Sequence, residues 1–357
     1  MSEAINAEEA FVGTVEPEGA DKLDEGKQTD WMQANVAGFE GPLHLTKFKG
    51  GQSNPTYKIA AQSGNYVLRR KPFGVLLPSA HAVDREYRVQ AGLHKAGFAV
   101  APQYGLCTDD SVAGSMFYVM GMVDGRTIWD GAMPKDAPAY RRATYDAMID
   151  TLAALHSVDV AAAGLSEFGK PGNYFGRQID RWTKQYRLAE TETIPEVERL
   201  IEWLPATMPE QDRTSVVHGD YRIDNMIYAH DRPEVLAVLD WELSTLGDPL
   251  ADFTYVAMAW VTENGGRSGV ADLDRKALGI PELEDVVERY CAATGRESVP
   301  DMNWYFAYNF FRLTGILQGI KKRVIDGTAS SSHAKEQSER VKPLAERAWD
   351  FAVKAGA

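Results

Sequence analysis

The chain has few of the features that would tie it to an oxidising compartment, a membrane or a polyanion. Its 357 residues include only two cysteines, Cys107 and Cys291, far apart and outside any Cys-x-x-Cys spacing. That argues against a disulfide framework or a cysteine zinc site and fits a reducing cytoplasm. No apolar run approaches about 20 residues, so no transmembrane helix is expected. Basic residues are in the minority, 38 against 51 acidic ones, for a formal net charge of −13. Wholesale binding to nucleic acid or to an anionic membrane is therefore disfavoured. The start, Met1-Ser2-Glu3-Ala4, is unlike a secretory signal, and residues 1–22 read as a flexible leader. No internal repeat or low-complexity segment follows. What remains is ordinary: 44% hydrophobic and 25% charged residues, in a chain long enough for two domains or lobes.

One stretch carries chemistry. Val216-Val217-His218-Gly219-Asp220 is followed by Asn225, and the apolar run ending at Leu239 leads into Asp240-Trp241-Glu242. Asp220 is placed to take a proton from a hydroxyl, and Asn225 with Asp240 offers hard oxygen ligands for a metal. That is a minimal kit for phosphoryl transfer, so the chain upstream should contain a nucleotide site.

The N-terminal third reads as a small antiparallel sheet. After a helix over 24–37, strands are expected at 44–49, 55–60 and 66–69, joined by Gly50-Gly51-Gln52-Ser53-Asn54 and Ser63-Gly64-Asn65. The first link is either a plain hairpin turn or a phosphate-covering loop, with Gly51, Ser53 and Asn54 against the phosphates. It is not a Walker A motif, since no Gly-Lys-Ser/Thr follows. Ser79 is expected to cap a helix over 79–96. On a helical plot Glu86 falls inside its apolar arc, where a carboxylate needs a cation. Arg69, Arg70 and Lys71 supply candidates, and Arg69 is preferred because it shares a strand face with Val67. Strands at 103–107 and 116–120 complete the lobe. The connector 121–125, glycine at each end, suits a hinge, with Met120 and Met122 at its base-binding edge.

Beyond the connector the pattern turns helical: 138–156, 173–190, 195–205, 282–294, 301–325, and 333 to the end with a break at Pro343. Asp248 reads as a helix cap with Pro249 in the first turn. The expected fold class is α+β, with an N-terminal lobe (23–120), the hinge (121–125) and a mostly helical C-terminal lobe (126–357).

In this order, His218-Gly-Asp220-Tyr-Arg-Ile-Asp-Asn225 with Leu239-Asp240-Trp241-Glu242 resembles the aminoglycoside phosphotransferase and choline kinase group of protein-kinase-like enzymes. The resemblance runs from about residue 30 to the end. Gly51-Gln52-Ser53-Asn54-Pro55-Thr56-Tyr57, Tyr66 to Pro72 and Leu77-Pro78-Ser79-Ala80-His81 are similar to one branch of it, the kinase-like domains associated with certain acyl-CoA dehydrogenases. That resemblance implies ATP and Mg²⁺ as cofactors and Asp220 as catalytic base. It also implies Asn225 and Asp240 as metal ligands, Glu86 as partner of the strand cation, and a 4-hydroxyacyl-CoA as acceptor.

Two departures stand out. An arginine occupies the strand where kinase-like folds usually carry lysine, though arginine also binds phosphate bidentately. From Asp240 to Asp248 there are eight residues, too few for a phosphorylatable activation loop, so a protein kinase is a poor reading. The alternatives are an aminoglycoside phosphotransferase and a nucleotide-binding pseudokinase. Arg312, Lys321, Lys322 and Arg323 on the long C-terminal helix are either a solvated face or cations for a CoA phosphate.

Overall fold

The computed structural model describes residues 12–49, 54–73, 81–265, 267–329 and 334–357. The N-terminal lobe is a six-stranded antiparallel sheet in the order β1-β2-β3-β4-β6-β5. Its strands are β1 (Thr14–Val15), β2 (Leu43–Phe48), β3 (Thr56–Ala61), β4 (Gly64–Arg70), β5 (Gln103–Cys107) and β6 (Phe117–Gly121). Period-two alternation builds the inner face: Leu43 and Leu45, Tyr57 and Ile59, and Tyr66 and Leu68 are buried together. Helix α1 (Glu25–Asn35) covers that face with Met32, and Asp24 caps its start by accepting from the Gly26 and Lys27 N–H groups. Helix α2 (Val83–Lys95) lies on the other face, sending Val89 and Leu93 into the core of the C-terminal lobe.

Part of the segment read as a leader packs on this sheet. Thr14 and Val15 pair with Phe48 and Lys47, Lys47 bonds Asp21 at 2.5 Å, and the Tyr57 hydroxyl donates to the Asp21 carbonyl. A short helix α3 (Asp110–Ala113) between β5 and β6 was not anticipated.

The C-terminal lobe is mostly helical: α4 (Pro138–His156), α5 (Tyr174–Ala189), α6 (Pro195–Ala206), α7 (Leu250–Ala257), α8 (Arg275–Leu278), α9 (Leu283–Thr294), α10 (Met302–Ile325), α11 (Ala334–Glu339) and α12 (Val341–Lys354). Two small antiparallel pairs carry the central stretch: β7 (Ser215–Val217) with β10 (Thr245–Gly247), and β8 (Met226–Tyr228) with β9 (Val235–Val238). Helix α10 is the axis of the lobe, buried along most of its length between α5, α7 and α12. The aromatics Tyr174, Phe175, Trp182 and Tyr186 of α5 are core, as expected.

Two boundaries differ from the sequence reading. Helix α2 begins at Val83, just after His81 takes a left-handed backbone (φ 58°), and the expected cap Ser79 lies outside the described residues. The C-terminal break falls at Arg340, between α11 and α12. Pro343 sits in the first turn of α12, where its missing N–H would have had no helical partner anyway. No helix among the described residues is long and apolar enough to cross a membrane.

Candidate active site

The loop after β7 is held from below. Gly219 has φ +87°, and a Cβ there would meet the Leu243 carbonyl oxygen at 2.9 Å, so only glycine fits. The buried Asp252 of α7 accepts the His218 N–H at 2.6 Å and the Gly219 N–H at 2.8 Å. Arg312 of α10 donates to the Gly219 carbonyl. His218 bridges two loops: its Nε2 donates to the Leu239 carbonyl (2.8 Å) and its Nδ1 accepts from the Asp220 N–H (3.1 Å). With both ring nitrogens engaged and Trp241 packed on it at 4.7 Å, His218 is scaffolding. Burial alone would raise the Asp252 carboxyl, but His156, His218 and the Gly219 N–H hold it below the usual range.

Asp220 stands at the tip of this loop, ringed by donors. The Tyr255 hydroxyl donates to Oδ1 at 3.0 Å, Asn225 Nδ2 donates to Oδ2 at 3.0 Å, and Arg222 Nε lies 3.3 Å from Oδ1. Asn225 also donates to the Asp220 carbonyl. Both donated bonds use its amide nitrogen, which leaves the amide oxygen as the group for a cation.

Across the cleft, Arg69 Nε bonds Glu86 at 2.7 Å and Arg69 Nη2 bonds Asp240 at 3.1 Å, with Glu242 at 3.9 Å. Arg70 points the other way, buried on Phe73 and Tyr57, so Arg69 is the cleft-facing cation that period two singles out. Glu86 is buried and further accepts from Asn54 (2.7 Å) and from the Tyr118 hydroxyl (3.1 Å). Burial raises its carboxyl against the pull of Arg69. Asn54 in turn meets His81 Nδ1 at 3.0 Å, tying the end of the glycine-rich link to the start of α2. Gly51 and Ser53 lie outside the described residues.

The connector is less free than expected. The Gly121 N–H bonds the Pro102 carbonyl and the Met122 N–H bonds the Asn65 carbonyl at 3.4 Å. Met120 is paired within the sheet between Val67 and Gln103. Gly125 passes so close to Ile227 and the Tyr228 carbonyl that a Cβ would collide with both.

Among the described residues no group of three His, Cys, Asp or Glu forms a metal cage. Asn225 and Asp240 still fit magnesium, which takes one or two protein oxygens and completes its shell with water and phosphate. Asp240 has the left-handed φ of 63° and is 38% exposed, so its carboxylate is accessible in the cleft.

The sequence reading missed Asp252, Tyr255 and Arg222. The signal available was Asp252, the one acid in a largely apolar helix, with Tyr255 three residues further on. The cations of the long C-terminal helix, read as either a solvated face or a CoA-phosphate site, have partners of their own. Arg312 is buried under Gly219, Lys321 pairs with Glu192, and Lys322 pairs with Asp326, so these three are already committed within the protein.

A cavity of about 840 Å³ is lined by two partners of Asp220, Tyr255 and Arg222. Its walls include Tyr255 and Arg222, the apolar side chains of Met148, Val256, Phe310 and Leu313, and charges at Arg267, Arg340, Arg347, Glu263 and Glu336. Arginines outnumber carboxylates four to two.

A sequence profile of the phosphotransferase enzyme family (APH) matches residues 44–298. Acyl-CoA dehydrogenase family member 10 of Mus musculus is 47% identical over 318 residues, which is 88% of this chain but 30% of the mouse protein. Acyl-CoA dehydrogenase family member 11 of Gallus gallus is 39% identical over 349 residues, 95% of this chain and 45% of that protein. The chain thus spans less than half the length of these two relatives. A crystal structure from Ralstonia eutropha, provisionally assigned as an aminoglycoside phosphotransferase, superposes with a TM-score of 0.87 at 49% identity, covering 93% of this chain and 99% of that one. Spectinomycin phosphotransferase, solved with ADP and spectinomycin, shares the fold at a TM-score of 0.61 and 11% identity, over 92% and 99% of the two chains.

Proposed function

The chain belongs to the phosphotransferase enzyme family, and on that premise we propose that it transfers the γ-phosphoryl group of ATP to a hydroxyl of an anionic small molecule, a 4-hydroxyacyl-CoA or a related hydroxy-acid derivative. The observation that carries the acceptor class is the cavity lined by Tyr255 and Arg222, the partners of Asp220, with more apolar than charged side chains and more arginine than carboxylate. A polycationic aminoglycoside would have only Glu263 and Glu336 of that lining as counter-charges. The acyl-CoA dehydrogenase relatives support the same class.

Asp220 orients the acceptor hydroxyl and takes its proton as the oxygen bonds to the γ-phosphorus and ADP departs. Tyr255 and Asn225 fix the two carboxylate oxygens, so the base meets the hydroxyl in one orientation. Arg69, held by Glu86, lies where the phosphates need positive charge. Asn225 and Asp240 would hold Mg²⁺, which neutralises phosphate charge when bound. Residues 121–125 serve as the hinge, and Asn54 anchors the phosphate-covering loop.

The test incubates the protein with ATP, Mg²⁺ and a panel of 4-hydroxyacyl-CoAs, sugars and aminoglycosides, with products read by mass spectrometry. Phosphorylation of the hydroxyacyl-CoA is expected, and Asp220→Asn should lower turnover by about 10²-fold or more with nucleotide binding retained. Turnover confined to aminoglycosides would refute the acceptor class. Nucleotide binding without turnover on any acceptor would refute the enzyme.

A further inference from the structure

The acceptor cavity carries charge that phosphoryl transfer at Asp220 does not use. Its four arginines fall into two groups. Arg222, at the reacting end, is committed to Asp220 and to Asp224, which it meets at 3.3 and 3.2 Å. Arg347 is partly committed, donating to the Val261 carbonyl at 3.0 Å. Arg267 and Arg340 differ. Both are exposed, and neither side chain makes a hydrogen bond or ion pair with any described residue. They stand on separate wall segments, Arg267 beside Ser268 and Gly269 and Arg340 at the junction of α11 and α12. The lining therefore combines Arg222, which touches Asp220, with apolar side chains and, where it is exposed at the mouth, two uncommitted guanidinium groups.

That arrangement suits a particular ligand shape. An apolar wall disfavours a ligand charged along its length. Free guanidinium forks from two chain segments favour phosphate groups, which they bind bidentately. Glu263 and Glu336 share the lining, and Glu336, one turn before Arg340 on α11, forms no ion pair with it. These carboxylates repel diffuse negative charge, so the mouth selects an anion able to reach the forks. At about 840 Å³ the cavity has the size of a site for one drug-sized molecule. A longer acceptor would keep its polar tail at the mouth.

We propose that Arg267 and Arg340 form a phosphate-binding rim for the tail of the acceptor. The enzyme then recognises an alcohol by the phosphorylated carrier to which it is attached as well as by its reacting chain. This rests on the acceptor class given above, and it places the carrier-binding cations at Arg267 and at the α11–α12 junction instead of on α10.

The test compares KM for a 4-hydroxyacyl-CoA and for the same acyl group on pantetheine, which lacks the carrier's phosphates, in the full chain and in Arg267→Ala, Arg340→Ala and the double variant. KM for the CoA ester should rise about tenfold in each single variant and about a hundredfold in the double variant. The pantetheine ester should already be the poorer substrate of the wild type, and its KM should change by less than about threefold. Arg340→Lys, a point charge without the fork, should recover part of the loss, and Arg323→Ala, outside the cavity lining, should alter neither ester. Equal KM for the two esters in the wild type, or equal increases for both in the variants, would overturn the rim while leaving the acceptor class intact. Absence of turnover on both esters, with turnover on an aminoglycoside, would overturn the acceptor class itself.

Discussion

At the scale of single residues, the site depends on how its charges are held. Asp220 Oδ1 accepts from Tyr255, a half-buried phenol at the wall of the proposed acceptor cavity. Burial and the Asp220 charge both keep that hydroxyl protonated, so it remains a donor. Tyr255→Phe removes one hydrogen bond to a carboxylate, an interaction of about 1.5–3 kcal/mol. Steady-state kinetics should show kcat reduced about tenfold or more with KM for ATP little changed, and a variant that lost only thermal stability would contradict a positioning role. Asp248 is a different case: its carboxyl accepts the Leu250 N–H at 2.9 Å, yet burial pushes its pKa up to about 6 against the pull of that N–H and of Arg296. The folded state therefore binds a proton that the unfolded chain, at 3.8, releases earlier. Its contribution is fully present below pH 3.8 and declines as pH rises towards 6. Asp248→Asn keeps the acceptor and removes the titration. In urea melts it should gain about 1–3 kcal/mol on the wild type at pH 7 relative to pH 4; parallel profiles would refute the shift.

At the scale of elements, α7 links helix core to chemistry. Asp252 and Tyr255 lie three apart and so on one face, the first under the His218–Gly219 backbone and the second against Asp220. Asp252→Ala would leave two buried N–H groups without a partner and should cost about 3 kcal/mol or more. Asp252→Asn, which keeps one acceptor, should cost less. Equal unfolding midpoints for wild type and Asp252→Ala in denaturant would exclude this role. Such a helix was legible only in outline. Asp248-Pro249 announced its start, but nothing in the local pattern says that a polar residue in an apolar helix faces a loop formed thirty residues earlier. Arg69 was legible because strand periodicity is rigid, and Glu86 because an acid in an apolar arc demands a partner. The start of α2 and the break at Arg340 were not, since helix ends depend on tertiary contacts more than on a serine or proline nearby.

At the scale of the whole molecule, the two lobes meet through apolar packing, Val89 and Leu93 of α2 and Phe98 on Trp241, and through polar contacts around the cleft. Arg69 of β4 reaches Asp240 beyond β9, Arg85 of α2 donates to the Phe168 carbonyl, and the Val238 N–H bonds the Ala99 carbonyl. The Arg69–Asp240 bond is the exposed member of the Arg69 network: Asp240 is 38% open to solvent, whereas Glu86 is 2%. A nucleotide with its metal would draw on both partners at once, with phosphate on Arg69 and the cation on Asp240. On the proposed roles, the Arg69–Asp240 contact would give way to phosphate on one side and to the cation on the other. Nucleotide binding to the folded chain alone stabilises it by about 2.7 kcal/mol at a hundredfold excess over Kd, and the part due to the cation can be isolated by chelation. In wild type, ATP with Mg²⁺ should raise the melting temperature more than ATP with EDTA. Asp240→Asn preserves size and tolerates the left-handed backbone, so the fold should persist, but the carboxylate that holds the cation is gone. In that variant the two melting curves should coincide while the nucleotide-only shift remains. A magnesium increment that survived in Asp240→Asn would remove Asp240 from the proposed metal site.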